Sequence, residues 1–434
     1  MSGRDRHFAL LFMVMFTIAA GNTALQSVLP AIGRELKVRD SWVAAAFSVS
    51  ALLWVIAAPY WANRSDRTGR RLMVLLGLSG FVCSLSLCGL FLMAGINGWI
   101  GGTLTFFLFI GGRLLYGLFG SAAPPAVQAL VAGSTTREER TKALTLLGSA
   151  FGLGTILGPA IAPYLVVGSI GAVRIGLSGP AFIAALFGML ILSIVARLLP
   201  YDAGMAGGHG AAAAYPSIGG QSTGASITAA TNPVIERIGY FDPRVRAWMI
   251  AGLVMGHAQA MTGQAIGFLV IDRLHLDPVA ALQPLGLVLM MGAGAALLVQ
   301  WGLIPLLNLK PRELVLVGLG AATIGTALTG LATSHYGIAL AFALSSAGFG
   351  FARPGFTAGA SLAVGPGGQG SVAGKVTSVN GASFVLGPSI GVGLYEFSKP
   401  LPYLLAAAAL VGMMAYGWAA LKTRTTPLTD DPVI

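Results

Sequence analysis

Twelve long, nearly uninterrupted apolar runs constrain this chain more than any other feature. They fall at about residues 8-30, 41-62, 72-94, 101-132, 143-166, 178-198, 246-271, 281-305, 314-333, 336-364, 376-396 and 402-421. Each is close to the roughly 20 residues an α-helix needs to cross a bilayer core. A β-barrel would instead alternate polar and apolar residues over strands of about ten. Only 9% of residues are charged and 55% are hydrophobic, against about 25% charged in soluble domains, which excludes a soluble enzyme carrying one anchor. The 61 glycines and 22 prolines suit membrane helices, whose neighbours re-satisfy the backbone groups these residues release. The first run exceeds a signal-peptide core and has no small-residue cleavage pattern, so it is expected to stay as the first helix. The expected fold class is an all-α membrane protein of twelve transmembrane helices in two pseudo-symmetric six-helix bundles.

The net charge of +11 invites a nucleic-acid reading, but the placement of the basic residues argues for topology instead. With the N-terminus inside, most of the 26 Lys and Arg fall in cytoplasmic segments, such as Arg64, Arg67, Arg70, Arg71, Arg137, Arg140 and Lys142. The outer loops hold Arg34, Lys37, Arg39, Arg174, Arg273 and Lys399, and Arg113 and Arg353 lie inside helices. By the positive-inside rule both termini are cytoplasmic, in a multi-pass protein of the plasma membrane (the cell inner membrane). Nucleic acid is not expected as a partner. The two cysteines, Cys83 and Cys88, lie about 140° apart on one predicted helix, so they form neither a disulfide nor a metal site.

Residues 201–231 are rich in Gly, Ala, Ser and Thr, with Asp202 as the one charged residue. Such a stretch buries too little to order itself and reads as a flexible cytoplasmic linker. It divides the chain into an N-terminal six-helix bundle (1-200), a linker (201-245) and a C-terminal six-helix bundle with a short tail (246-434). The halves repeat: Gln26 matches Gln264, Gly77 matches Gly318, Arg113 matches Arg353, and Gly158-Pro159 matches Gly387-Pro388, at nearly constant offset. Duplicated six-helix units mark secondary transporters, whose substrate sites lie between the repeats near mid-membrane.

Between the second and third runs lies ANRSDRTGRR, Ala62 to Arg71. It resembles the loop signature of the major facilitator superfamily, with Asp66, Arg67, Gly69, Arg70 and Arg71 on its characteristic positions. Ala62 and Arg64 depart from it, standing where the pattern has Gly and Leu. The resemblance implies a conformational latch between the halves. Arg113, near the middle of the fourth run in GGRLLYGLFGSAAPP, resembles the superfamily's helix-4 arginine, linked in antiporters to proton transfer. A central Arg costs about 2.5–3.5 kcal/mol on insertion scales and must face the protein interior. The fifth run reads GSAFGLGTILGPAIAP. Its Gly154, Gly158 and Pro159 resemble the glycine-rich motif of the drug-proton antiporter branch, whose members have twelve helices.

In that fold helices 1, 4, 7 and 10 line the cavity, so the resemblance implies substrate binding by Asn22, Gln26, Arg113, Tyr116, His257, Gln264, Ser346, Phe349 and Arg353. His257 lies about eleven residues into the seventh run, near mid-membrane, and His is the side chain that titrates near neutral pH without a large shift. None of the 15 acidic residues sits centrally in a predicted helix, whereas many proton-coupled exporters of the family use a membrane carboxylate there. The proton-coupling candidates are therefore Arg113, His257 and Asp272, with Glu396 also considered. Central arginines without carboxylates suit an anionic substrate and oppose a polycationic one.

No nucleotide-binding loop and no metal-ligand spacing among the five histidines appear, so neither an enzyme, a cofactor nor a metal is expected. The expected function is secondary active transport by alternating access, as a proton-coupled exporter (antiporter) of drug-like compounds or organic anions. The partners are a small-molecule substrate, the lipid bilayer and protons, and the chain is expected to act as a monomer. A uniporter or symporter for an anionic metabolite, and a transport-inactive sensor or scaffold on the same fold, stand as alternatives.

Overall fold

A computed structural model describes residues 3–200, 211–218, 228–229, 231, 234 and 236–421, the side chains of 3, 4, 66, 137, 138 and 141 excepted. The apolar runs become twelve helical rods. In the first half they are α1 (Gly3–Glu35), α2 (Asp40–Thr68), α3 (Arg70–Ile96), α4 (Gly102–Ser134), α5 (Arg137–Ile161) and α6 (Gly179–Leu198). In the second they are α7 (Arg246–Leu274), α8 (Leu282–Leu307), α9 (Pro311–Leu331), α10 (His335–Leu362), α11 (Pro366–Phe397) and α12 (Leu401–Ala420). Ten of them are long and apolar enough to cross a membrane by length and composition. The two that fall short, α7 and α11, bury polar residues, Gln259 and Gln264 of α7 and Asn380 and Ser383 of α11 among them.

Local chemistry sets the boundaries. Gly69, at φ 95° in the left-handed region that favours glycine, turns the chain between α2 and α3. The side chains of Thr136 and Ser334 accept the first-turn N–H groups of Glu139 and Gly337 at the starts of α5 and α10. Proline occupies the first turn of α6, α9, α11 and α12, where its missing N–H costs nothing. The Gly- and Ser-rich start of α11 lies about ten residues before the apolar run that marked it, because hydropathy does not register a helix built from such residues. One departure from all-helical structure is a small antiparallel hairpin, β1 (Val167–Ile170) with β2 (Val173–Gly176), between α5 and α6.

The sequence repeat is visible as packing. A Cβ on Gly158 would lie 2.4 Å from the Ala20 carbonyl of α1, so α5 touches α1 backbone to backbone. Its repeat partner Gly387 likewise seats α11 closely on α7, where a Cβ would lie 2.6 Å from the Ala260 side chain. Gly77 seats α3 against Ala123 of α4 and Gly318 seats α9 against Ala352 of α10, each at 2.6 Å from a backbone nitrogen. Large apolar side chains, among them Phe107, Leu186, Leu190, Ile324, Leu340 and Trp418, stay exposed on the outer faces, the surface that lipid covers.

The halves meet along α1 with α7, α2 with α11 and α5 with α8. Residues at the same repeat offset touch: Gln26 Nε2 donates to Gln264 Oε1 at 2.7 Å, and Arg34 pairs with Asp272 at 3.2 Å. Equivalent residues meet only close to the pseudo-twofold axis. At the Arg34 end the seam is closed by charge. Asp272 also accepts from the Tyr395 hydroxyl at 2.7 Å and faces Lys399 at 3.8 Å, Arg34 also pairs with Asp40 at 2.6 Å, and Arg39 pairs with Glu396 at 3.3 Å. At the opposite end, a cavity of about 500 Å³ lies between α2, at Val55 and Pro59, and α11, at Gly374 and Ser378.

The linker reading needs correction where the chain is described. Residues 211–218 do not hang outside the bundles as a featureless tether; they run into the centre of the molecule, with Ala213, Tyr215, Ser217 and Ile218 buried. Composition rightly gave this stretch no core of its own, but the walls that order it come from helices about 190 residues earlier in the chain.

Candidate functional site

The centre of the molecule is polar where a membrane protein can least afford it. Arg113 of α4 is fully buried. Its Nη2 donates to Asn22 Oδ1 of α1 and to the Tyr215 hydroxyl, and its guanidinium lies over two rings, 4.7 Å from the centroid of Tyr116 and 4.8 Å from that of Phe47. Nε and Nη1 have no hydrogen-bond partner. Ser50 of α2 donates to the Arg113 carbonyl at 3.0 Å, tying the middle of α4 to α2. Tyr116 and Trp54 stack at 5.3 Å and complete an aromatic box.

The second half repeats the arrangement in a sparser form. Arg353 of α10 is buried, its Nε donates to Gln259 Oε1 of α7 at 2.8 Å, and its guanidinium lies 5.5 Å from the Phe384 ring. Both arginines thus reach from the fourth helix of their half to the first. Arg353 Nη1 and Nη2 have no hydrogen-bond partner. The residue lines a small cavity of about 40 Å³, shared with Thr155, Pro159, Gln259, Ser346 and Phe349. That is space for about three waters or a small anionic group. Among the described residues no carboxylate pairs with either arginine.

Between the two arginines stands the Gln26–Gln264 bridge. Most of the expected cluster is therefore brought together: Asn22, Gln26, Arg113, Tyr116 and Gln264 at the axis, and Ser346, Phe349 and Arg353 around the small cavity. His257 is not brought to it. Its Nδ1 is 2.8 Å from the Leu253 carbonyl one turn back, the ring is half-buried, and it lines neither of the two cavities. Sequence gives depth in the membrane, and His257 has the right depth to within two turns, but it lies seven residues, roughly 10 Å, along α7 from Gln264. Asp272 is far from the arginines as well, in the charge cluster that closes the seam. Sequence reasoning missed Gln259, a polar residue in the seventh run that the same search for buried amides could have found. It also missed Phe47, Ser50 and Trp54 of α2 and Tyr215, for which no local signal exists.

Residues 11–388 match the sequence profile of the Major Facilitator Superfamily. The chain belongs to this superfamily. Among its relatives, the class B tetracycline resistance protein of Escherichia coli is 34% identical over 41% of this chain and 40% of its own length. Multidrug resistance protein 1 of Bacillus subtilis is 30% identical over 45% of this chain and 46% of its own. These alignments span less than half of either relative, whereas the class E tetracycline resistance protein of E. coli aligns over 91% of this chain and 89% of its own length at 26% identity. The relatives are thus named for tetracycline and multidrug resistance, and the superfamily to which the chain belongs is one of transporters, not enzymes. Two solved structures share the fold: a bacterial homologue of the human lysosomal transporter Spinster (TM-score 0.71, 11% identity, 97% of each chain) and the human organic anion transporter MFSD10 (TM-score 0.63, 17% identity, 95% of this chain and 99% of that one).

The superfamily's loop signature and helix-5 motif find their places within this fold. The Asp66 side chain lies outside the described residues, and Arg67 is exposed. Arg70, buried, donates to the Ala129 carbonyl of α4 at 3.2 Å, and Arg71 donates to the Ala196 carbonyl of α6 at 2.6 Å. Both of these hydrogen bonds end within the N-terminal half, at carbonyls near helix C-termini where a cation is favoured. Gly154 and Gly158 are contact points of α5 on α1, where Thr23 Oγ1 also donates to the Gly154 carbonyl at 3.3 Å. Pro159 lines the Arg353 cavity.

Proposed function

We propose that this superfamily member is a proton-coupled exporter, working by alternating access on drug-like compounds or organic anions, with an acceptor-rich or anionic group of the substrate bound by the two central arginines. The observation that carries the reading is the buried guanidinium of Arg353, whose Nη1 and Nη2 lack partners at the wall of a small cavity. A buried charge with no counter-charge is costly unless a ligand supplies one. Arg113 adds a second cation across the axis, and together they set a positive field that attracts anions and repels cations. Relatives named for drug resistance support export, and the positive-inside distribution supports a cytoplasmic location for the linker end, with its cavity between α2 and α11.

Proton coupling is assigned to Asp272. It joins Arg34, Lys399 and Tyr395 across the seam, so its protonation removes the charge on which two ion pairs depend and loosens the closed end. Asp66, Gly69 and the neighbouring arginines act as the latch for the opposite end.

The test is purified protein in proteoliposomes holding a pH-sensitive dye, challenged with a panel of organic anions and cationic drugs. Organic anions should move protons, and Arg353→Gln should abolish the response while the purified variant keeps its melting temperature. Proton movement with cations alone, or an unchanged response in Arg353→Gln, overturns the reading. Labelled-anion flux without proton movement would replace the exporter with a uniporter, and silence in both would leave a sensor or scaffold.

A further inference from the structure

The segment Ala211–Ile218, AAAAYPSI, fills the space between the polar side chains of the central site and satisfies them in turn. Trp54 Nε1 donates to the Ala213 carbonyl at 2.8 Å. The Tyr215 ring packs edge-on to Trp54 and Tyr116, with centroids 5.6 and 5.9 Å apart, and its hydroxyl accepts from Arg113. Asn22 Nδ2 donates to the Pro216 carbonyl at 2.6 Å. Gln26 makes a reciprocal pair: its Nε2 donates to Ser217 Oγ at 3.1 Å and its Oε1 accepts the Ile218 N–H at 3.0 Å. Ile218 then reaches the wall of the Arg353 cavity.

These contacts have the form of ligand recognition rather than of a linker held by chance. Four side chains from three helices, α1, α2 and α4, each aim at a different group of an extended peptide, and a phenol fits the aromatic box. Nothing in the segment is charged and four of its eight residues are alanine, so its own side chains contribute little beyond Tyr215 and Ile218. Ordering eight backbone residues opposes most of what the hydrogen bonds contribute. What holds the segment is its covalent attachment, which gives a local concentration of about millimolar.

Resting on the reading of this cavity as the transport site, we propose that Ala211–Ile218 is an intramolecular occupant of that site, and that the site it vacates receives peptide-like molecules. The chemical class is an aromatic ring bearing a hydroxyl or similar acceptor, joined through an amide carbonyl to an amide N–H. The carbonyl meets Asn22, the N–H meets Gln26, and the ring substituent meets Arg113.

The experiment is a binding measurement on the full chain in lipid nanodiscs, so it stands apart from the proton-flux assay: loss of proton coupling leaves this result untouched, and the reverse also holds. The probe is the fluorescent octapeptide AAAAYPSI. A variant with residues 211–218 replaced by an equal length of Gly and Ser should bind it at least tenfold more tightly than the parent chain. A peptide with Ala in place of its Tyr should lose that binding, as should Gln26→Leu in the variant background. Equal binding by parent and variant, or no binding by a variant with the parent's melting temperature, overturns the proposal. Should the replacement not fold, Tyr215→Ala alone serves. In a Cys83→Ser background, a cysteine introduced by Ser217→Cys should react with a polar maleimide at least tenfold faster once Tyr215 is Ala. Unchanged reactivity there refutes occupancy.

Discussion

Two glycines in α5, six residues apart, separate close helix contact from intrinsic helix propensity. A Cβ at Gly158 would lie 2.3 Å from Thr23 Oγ1, 2.4 Å from the Ala20 carbonyl and 2.9 Å from the Ala24 nitrogen, whereas a Cβ at Gly152 meets nothing within 4 Å. Ordinary contact begins at 3.4 Å, so Gly158→Ala must push α5 and α1 apart by about 1 Å against backbone atoms that no rotamer change can move. Overpacking of this kind costs about 1–3 kcal/mol. Both substitutions gain the same helix propensity, up to about 1 kcal/mol, so the difference between the two variants isolates the clash. At about 2–4 °C per kcal/mol for chains of 150–250 residues, and less for one this long, Gly158→Ala should melt several degrees below Gly152→Ala in a thermal-shift assay of detergent-purified protein. Equal melting temperatures would show that α1 and α5 are not packed backbone to backbone and would refute the reasoning.

Two further outcomes follow from the ion pairs. Asp272→Asn leaves Arg34 with Asp40 alone and Lys399 with no described carboxylate, so the Arg34 end should open more often; spin labels on the ends of α1 and α7 should show a second, longer distance, about tenfold more populated than in the parent (about 1.4 kcal/mol). Asp242, before α7, is held down to about 2 by hydrogen bonds from Arg244. Its contribution is complete above the ordinary carboxylate range and is lost only as pH falls towards 2, so Asp242→Asn should change the melting temperature by the same amount at every pH between 5 and 8.

What the sequence made legible follows from what is local. Long apolar runs give twelve rods because a membrane-crossing helix satisfies its own backbone. The repeat located Gln26 opposite Gln264 and Arg113 opposite Arg353, since duplicated units keep equivalent positions in equivalent places. Tyr215 was illegible for the opposite reason. Its burial is decided by Trp54, Tyr116 and Arg113, and nothing within ten residues of it signals a core. His257 shows the intermediate case: depth along a helix follows from counting residues, but which neighbours a side chain meets depends on how α7 packs against the rest of the bundle.

The amide pair at the axis has one more consequence. A single hydrogen bond between two identical side chains related by a twofold cannot be symmetric, because one must donate and the other accept; reversing the roles gives a twofold-related state of equal energy. Here the degeneracy is lifted. The Ile218 N–H claims Gln26 Oε1, which leaves Gln26 its amide hydrogens and makes it the donor to Gln264. A few atoms from outside the duplicated units thus choose a direction for a bond that the duplication alone leaves undecided. A replacement that still presents a donor to Gln26 Oε1 keeps that direction, and one that presents none leaves the bond free to reverse.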